Sequence, residues 1–227
     1  MTQIKNILFV APHADDEVLG CGGTMAKHAQ NGHKVYVAVM TNAHKGDPDL
    51  FSEDLIHTIR SEAKDAHELL GVAETFFYEF PAPRLDTFPA YKISNELGKL
   101  YQKLNIEVLY LPHRGDIHKD HTVIFHAGLV AARPINDCPV KKILTYETLS
   151  ETEWAMPFPD EVFIPNVYEE ITTFITKKTA AMQCFKSQLK EFPHSRSLAS
   201  IEHLAQYRGA TIGKHFAESF ALIRAIQ

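Results

Sequence analysis

Ile7-Leu8-Phe9-Val10-Ala11-Pro12-His13-Ala14-Asp15-Asp16-Glu17 decides how this chain is read. Its first five residues form an unbroken apolar run, as expected of a strand buried on both faces. Its last five carry one imidazole and three carboxylates. Further along, Val108-Leu109-Tyr110-Leu111 leads in the same way towards Asp116-Ile117-His118-Lys119-Asp120-His121. Each polar cluster sits where a parallel strand hands over to a helix. In open α/β sheets ligands bind outside that carboxyl edge. Carboxylates and imidazoles converging there point to metal-dependent hydrolysis.

Reading outward from these strands gives alternating elements. Residues 4–11 predict strand one, and residues 17–31 a helix closed by Asn31-Gly32. The valine-rich segment Lys34 to Met40 predicts strand two. Residues 43–50 read as a polar loop, and Ser52 to Leu70 as an amphipathic helix ending at Gly71. Glu74 to Phe80 predicts strand three, followed by a proline-bearing loop and a helix over 90–104. Glu107 to Leu111 predicts strand four, with a helix from near His118, and Lys142 to Tyr146 predicts strand five. This alternation implies an α/β, Rossmann-like three-layer fold, a mainly parallel sheet flanked by helices with right-handed crossovers. The last third is less regular. Helices are expected over Thr172 to Leu189 and Leu198 to Gly213, and Ser219 to Ile226 reads as a strand or helix end. With no linker and no repeat, residues 1–227 read as one domain, about 147–227 being a C-terminal elaboration.

Composition bounds the function. Hydrophobic residues at 45% and charged residues at 22% suit a folded core and argue against disorder. A net charge of −5 speaks against a nucleic-acid surface. Cys21, Cys138 and Cys184 are far apart and form no C-x-x-C pair, which predicts reduced thiols. The stretch Met1-Thr2-Gln3-Ile4-Lys5-Asn6 carries no secretory pattern, and no apolar run is long enough to span a membrane. The expectation is a cytoplasmic enzyme acting on a small molecule.

Thirteen histidines make single coincidences common, so the clustering carries the metal argument. His13 and Asp16 lie three apart at a strand end, and His118 and His121 three apart, on one face if helical. Three ligands of the His/Asp/His kind leave a fourth position open, as in catalytic zinc sites. Ferrous iron suits the same donors. The plainer reading is that Asp15 and Asp16 cap the following helix, for which one carboxylate suffices. Gly20-Cys21-Gly22-Gly23 hints at a dinucleotide loop, but Met25 holds the third glycine position and the acidic cluster would repel a pyrophosphate. Those small residues read instead as a close approach of helix to sheet.

On these motifs the chain resembles the PIG-L/LmbE superfamily of zinc-dependent N-acetylglucosaminyl deacetylases. The first cluster is similar to its His-Pro-Asp-Asp-Glu signature, and His118-Lys119-Asp120-His121 to its His-x-Asp-His signature. Arg60-Ser61-Glu62 also matches, and the resemblance spans most of residues 4–130. Ala14 departs from it, standing where the family has proline, with Pro12 ahead of the histidine. The resemblance implies one Zn2+ per chain held by His13, Asp16 and His121. It implies Asp15 as general base, His118 as general acid or oxyanion donor in its protonated form, and Asp120 as the group orienting a histidine. The implied substrate is an N-acetylated amino-sugar conjugate, and a homo-oligomer is compatible with the family.

Candidates for substrate binding are Arg60, Asn42, Asp86 and Asp116. Their plainer roles are a helix-surface ion pair, a turn, a loop carboxylate and a helix cap. Trp154 and Tyr146 are candidates for stacking on a sugar face. Two other functions stay open: a metal-dependent hydrolase of another amide or a phosphoester, and a non-catalytic sugar- or nucleotide-binding module. A binding module needs neither base nor acid, which weighs against it.

Overall fold

All five residues of the run Ile7–Ala11 are buried. Ile7 and Phe9 enter one hydrophobic core and Leu8 and Val10 the other, as the two-residue period of a strand requires. The run thus lies between two helical layers. The computed structural model describes residues 4–227; residues 1–3, part of the stretch read for a leader, lie outside the described residues.

The first half is built from β1 (Asn6–Ala11), α1 (Asp16–Gln30), β2 (Lys34–Asn42), α2 (Ala43–Gly46), α3 (Glu53–Leu70) and β3 (Glu74–Pro81). A 3-10 turn at Leu85–Thr87 precedes α4 (Ala90–Leu104), β4 (Val108–Pro112), α5 (Lys119–Ala131) and β5 (Lys142–Tyr146). The chain ends with β6 (Val167–Glu170), α6 (Ile175–Cys184), α7 (Leu198–Ala210) and β7 (Ala217–Ala225). The sheet order is β3-β2-β1-β4-β5-β7-β6. The first five strands in that order run parallel, while β7 is antiparallel to β5 and to β6. Helices α1, α3, α6 and α7 cover one face, and α4 and α5 the other. This is the expected three-layer arrangement. Among the described residues no helix is long and apolar enough to cross a membrane.

Several boundaries follow local chemistry. Ser52 caps α3 by accepting from Leu55 N, and Gly71 closes it at φ 78°, in the left-handed region. At Gly20 an added Cβ would lie 2.4 Å from the Tyr146 ring, and at Gly23 2.7 Å from Ile171. These glycines let α1 lie against the end of β5 and the segment after β6. The polar loop expected over 43–50 instead begins with the short α2, for which Asn42 is the cap. The helix expected from Thr172 runs only over Ile175–Cys184, and β6 was not foreseen. A four-residue, half-buried strand has too little periodicity to read. Its partner β7 comes fifty residues later and supplies its hydrogen bonds.

β1 is flanked by β2 on one side and β4 on the other, both parallel to it. Successive crossovers leave β1 in opposite directions there. The carboxyl ends of β1 and β4 meet at this switch point and open the crevice that holds ligands in such sheets.

Candidate metal centre

The turn after β1 is held from several sides. Thr41 Oγ1 donates to Pro12 O at 2.8 Å. Asp15 has φ 116° and ψ −27°, a backbone that non-glycine residues rarely adopt. Its N–H points to Glu17 Oε2 at 3.3 Å, and Glu17 Oε1 lies 2.8 Å from His67 Nε2. Thr75 Oγ1 meets the other nitrogen of His67 at 2.8 Å. The Asp15 side chain makes no capping bond to α1, and Asp16 Oδ2 accepts from His13 N at 2.8 Å. Helix capping therefore does not account for either carboxylate.

The start of α5 supplies the facing groups. His118 caps this helix: its Nδ1 accepts from Asp120 N at 3.2 Å, so the proton of a neutral ring sits on Nε2. Asp120 Oδ1 accepts from Leu85 N, and Oδ2 lies 3.2 Å from His13 Nε2. Asp116 Oδ2 takes the Nδ1 proton of His121 at 2.8 Å, and Thr152 Oγ1 donates to Asp116 Oδ1 at 2.6 Å.

Each of two histidines is thus backed by a carboxylate, which fixes its tautomer and frees its other nitrogen as a donor for a metal. The free nitrogens converge on Asp16. His13 Nδ1 lies 3.4 Å and His121 Nε2 3.2 Å from Asp16 Oδ2. Bonds of 2.0–2.1 Å in tetrahedral geometry put neighbouring donors about 3.3 Å apart. His121 Nε2, 3.2 Å from Asp16 Oδ2, is buried without a hydrogen-bond partner, as a nitrogen kept for a cation would be. The residues fit a mononuclear metal. A second possible trio, His13, His118 and Asp120, is less suitable. There Asp120 is committed to His13 and Leu85, and His118 Nδ1 to the helix cap.

The charges follow from burial and neighbours. Burial disfavours the Asp16 carboxylate, but the imidazoles of His121 and His13 hold it well below the usual range. Burial also opposes protonation of His13, yet Asp120 and Asp16 bring it up to about 9. Burial pushes Asp15 up to about 8 against the downward pull of Arg196, whose NH1 is 3.3 Å from Asp15 Oδ2. Burial, with His13 adding to it, presses His118 down to about 4. With Nδ1 accepting from Asp120 N, Nε2 is the nitrogen of His118 left free to donate.

The substrate-binding candidates separate. Arg60 lines the cavity beside the centre, but NH1 bonds Glu79 Oε1 at 2.6 Å and NH2 bonds Tyr78 O at 2.8 Å. Asn42 donates to the same Glu79 and caps α2, so its amide is spent on the scaffold. Asp86 is exposed in the 3-10 turn and does not line the cavity. Asp116 faces His121 instead of the cavity. Tyr146 is fully buried with its hydroxyl on Val10 O at 2.9 Å, which excludes sugar stacking. Trp154 is exposed and packs edge-on against His194.

Arg196, Glu151 and Gln188 join the centre from the irregular last third. Arg196 Nε donates to Ser150 Oγ at 2.7 Å, and NH2 is 3.6 Å from Glu151 Oε1. No motif marks these residues, because loops distant in sequence carry them. Arg208 and Glu218 lie elsewhere: Arg208 pairs with Glu147 at 2.6 Å, and Glu218 with the buried Lys178 at 2.6 Å.

A carboxylate-backed donor trio, with a spare buried carboxylate at the switch point of a doubly wound sheet, suits metal-dependent chemistry on a bound small molecule. The chain belongs to the GlcNAc-PI de-N-acetylase (PIG-L) family, whose model matches residues 8–132. It is an enzyme, a metal-dependent deacetylase by family. It is 30% identical over 188 residues to the uncharacterized deacetylase YaiS of Escherichia coli K12, covering 81% of this chain and 91% of the relative. It is 23% identical over 236 residues to the diacetylchitobiose deacetylase of Thermococcus kodakarensis, covering 98% of this chain and 85% of that one. Its fold superposes on that of GalB, the 4-carboxy-2-hydroxymuconate hydratase of Pseudomonas putida KT2440. The TM-score is 0.79 at 20% identity, over 99% of this chain and 98% of that one. At that identity the likeness concerns the fold alone.

Proposed function

We propose that this chain removes the acetyl group from an N-acetylated amino-sugar conjugate of the glucosamine type, with one zinc ion held by His13, Asp16 and His121. The observation that carries this reading is the pair of carboxylate-backed histidines meeting Asp16 at tetrahedral spacing, with Asp15 beside them. Zinc, when bound, supplies a Lewis acid for the amide carbonyl and lowers the pKa of water to about 7. Asp15 takes the proton of the attacking water. Its carboxyl lines the cavity beside His13 and His118, where the attacking water would stand. The clamp from Glu17 on its backbone and the guanidinium of Arg196 fix where that carboxyl stands. His118 donates its Nε2–H to the carbonyl oxygen as negative charge develops there, a contribution a neutral imidazole can make. Asp15 then returns its proton to the departing nitrogen, leaving acetate and the free amine. Asp120 and Asp116 act by orienting His13 and His121.

The three free thiols support a reducing, cytoplasmic compartment. The net charge of −5 supports a small-molecule substrate over nucleic acid. We read the chain as a single domain, since β7 returns to the sheet beside β5.

The test is acetate release from a panel of N-acetylated amino-sugar derivatives by zinc-loaded protein, alongside elemental analysis. About one zinc per chain, its loss in His121→Ala, and acetate release from some member are the expected results. Absence of acetate across the panel with zinc bound, or unchanged zinc in His121→Ala, refutes the reading.

A further inference from the structure

The centre opens into a cavity of about 250 Å³. His13, Asp15, His118, Glu151 and Arg196 line it, and so does an apolar wall made by Val39, Phe51, Leu55, Ile56, Ile59 and Pro83. Leu55, Ile56 and Ile59 come from the first turns of α3, at the spacing that aligns side chains on one helix face. Some of the polar groups beside that wall are tied to the scaffold. Thr41 Oγ1 donates to Pro12 O, and Arg60 bonds Glu79 and the carbonyl of Tyr78. A hydroxylated ring laid against this wall would bring hydroxyl groups to a surface with few free partners, which is unfavourable. An alkyl chain or apolar ring there would lose only water.

We infer that the amino-sugar substrate carries an apolar substituent on its N-acyl group or its aglycone, seated against Leu55, Ile56 and Ile59 while the amide sits among His13, Asp15 and His118. This rests on the deacetylase reading and names its substrate class more narrowly. The substituent is either an acyl group longer than acetyl or an alkyl or aryl aglycone; both present the same apolar surface. Burying a methylene favours binding by about fourfold, so two added methylenes give about fifteenfold in kcat/KM.

Two substrate series separate the sources. One is glucosamine N-acylated with acetyl, butyryl, hexanoyl or octanoyl groups. The other is N-acetylglucosamine carried as methyl, butyl, hexyl or octyl glycoside. A rise in kcat/KM with chain length in one series supports the inference and says which end of the substrate meets the wall. In the responding series, Ile59→Asn lowers the ratio of butyryl (or butyl) to the shortest member towards one. Calorimetry of the same ligands on the metal-free chain gives a heat-capacity change that becomes more negative with length. Cleavage of the acetylated sugar with a flat or falling profile in both series overturns the apolar assignment and leaves the deacetylase reading standing. Failure of every member to release acyl product refutes that reading and this inference together.

Discussion

Asp116→Asn tests whether His121 is a ligand without touching any ligand. Asp116 is 3% exposed, and its two oxygens are occupied by His121 Nδ1–H and Thr152 Oγ1–H. The amide keeps the shape and can accept from only one of these donors, while Thr152 can rotate to accept from the new NH2. The His121 hydrogen bond therefore survives but loses its charge assistance, about half its strength. The imidazole then becomes a weaker base and a weaker donor to the cation. Changes to groups that back a metal-bound histidine cost about 10–100-fold in metal affinity, or about 1.4–2.7 kcal/mol. Competition between the protein and a chromophoric chelator measures this directly, with circular dichroism to verify the fold. Thr152→Val should act in the same direction and less strongly. Asp86→Asn, in the exposed 3-10 turn, is the control and should leave affinity unchanged. A folded Asp116→Asn protein with wild-type zinc affinity would show that His121 does not bind the metal.

Asp15→Asn should retain zinc and fold but lose about 10²-fold or more in kcat, since the amide cannot accept the proton of water; steady-state assays with metal analysis decide it. Lys178→Met should destabilise the protein by about 3–5 kcal/mol, measured by urea unfolding, because it leaves Glu218 buried with only the N–H groups of Gly23 and Thr24 to balance its charge. A loss below about 1 kcal/mol would mean that the Lys178–Glu218 pair does not matter to the stability of the fold. Burial lowers His28 to about 4 from 6.5, so between those values the unfolded chain binds a proton that the folded chain does not. Stability from this group is complete above pH 6.5 and is lost as pH falls towards 4, by about 3 kcal/mol. Urea titrations across that range should show a shallower decline in His28→Gln than in the wild type; parallel declines would exclude the effect.

The proposed metal ligands can be picked out of the chain because two short segments hold them all. His13 to Asp16 and His118 to His121 each follow an apolar strand, and strand-to-helix handover places both at one sheet edge. Local chemistry likewise announces α3, with Ser52 before it and Gly71 after it. Tertiary structure decides which groups back the ligands and which shape the cavity. Sequence spacing cannot show that Asp120 reaches His13 across 107 positions, or that Asp116 turns away from the cavity to His121. It suggests Arg60 and Asn42 as substrate contacts, whereas Glu79, three residues before Ala82, draws both into the scaffold. Arg196, Glu151 and Gln188 carry no periodic signal, because irregular loops hold them and only contacts such as Arg196 with Asp15, Ser150 and Gln188 bring them together. The short β6 is equally silent, since its strand character comes from pairing with β7. What recurs at a fixed spacing can be read from the chain, and what depends on long-range contact appears only once the sheet has closed the distance.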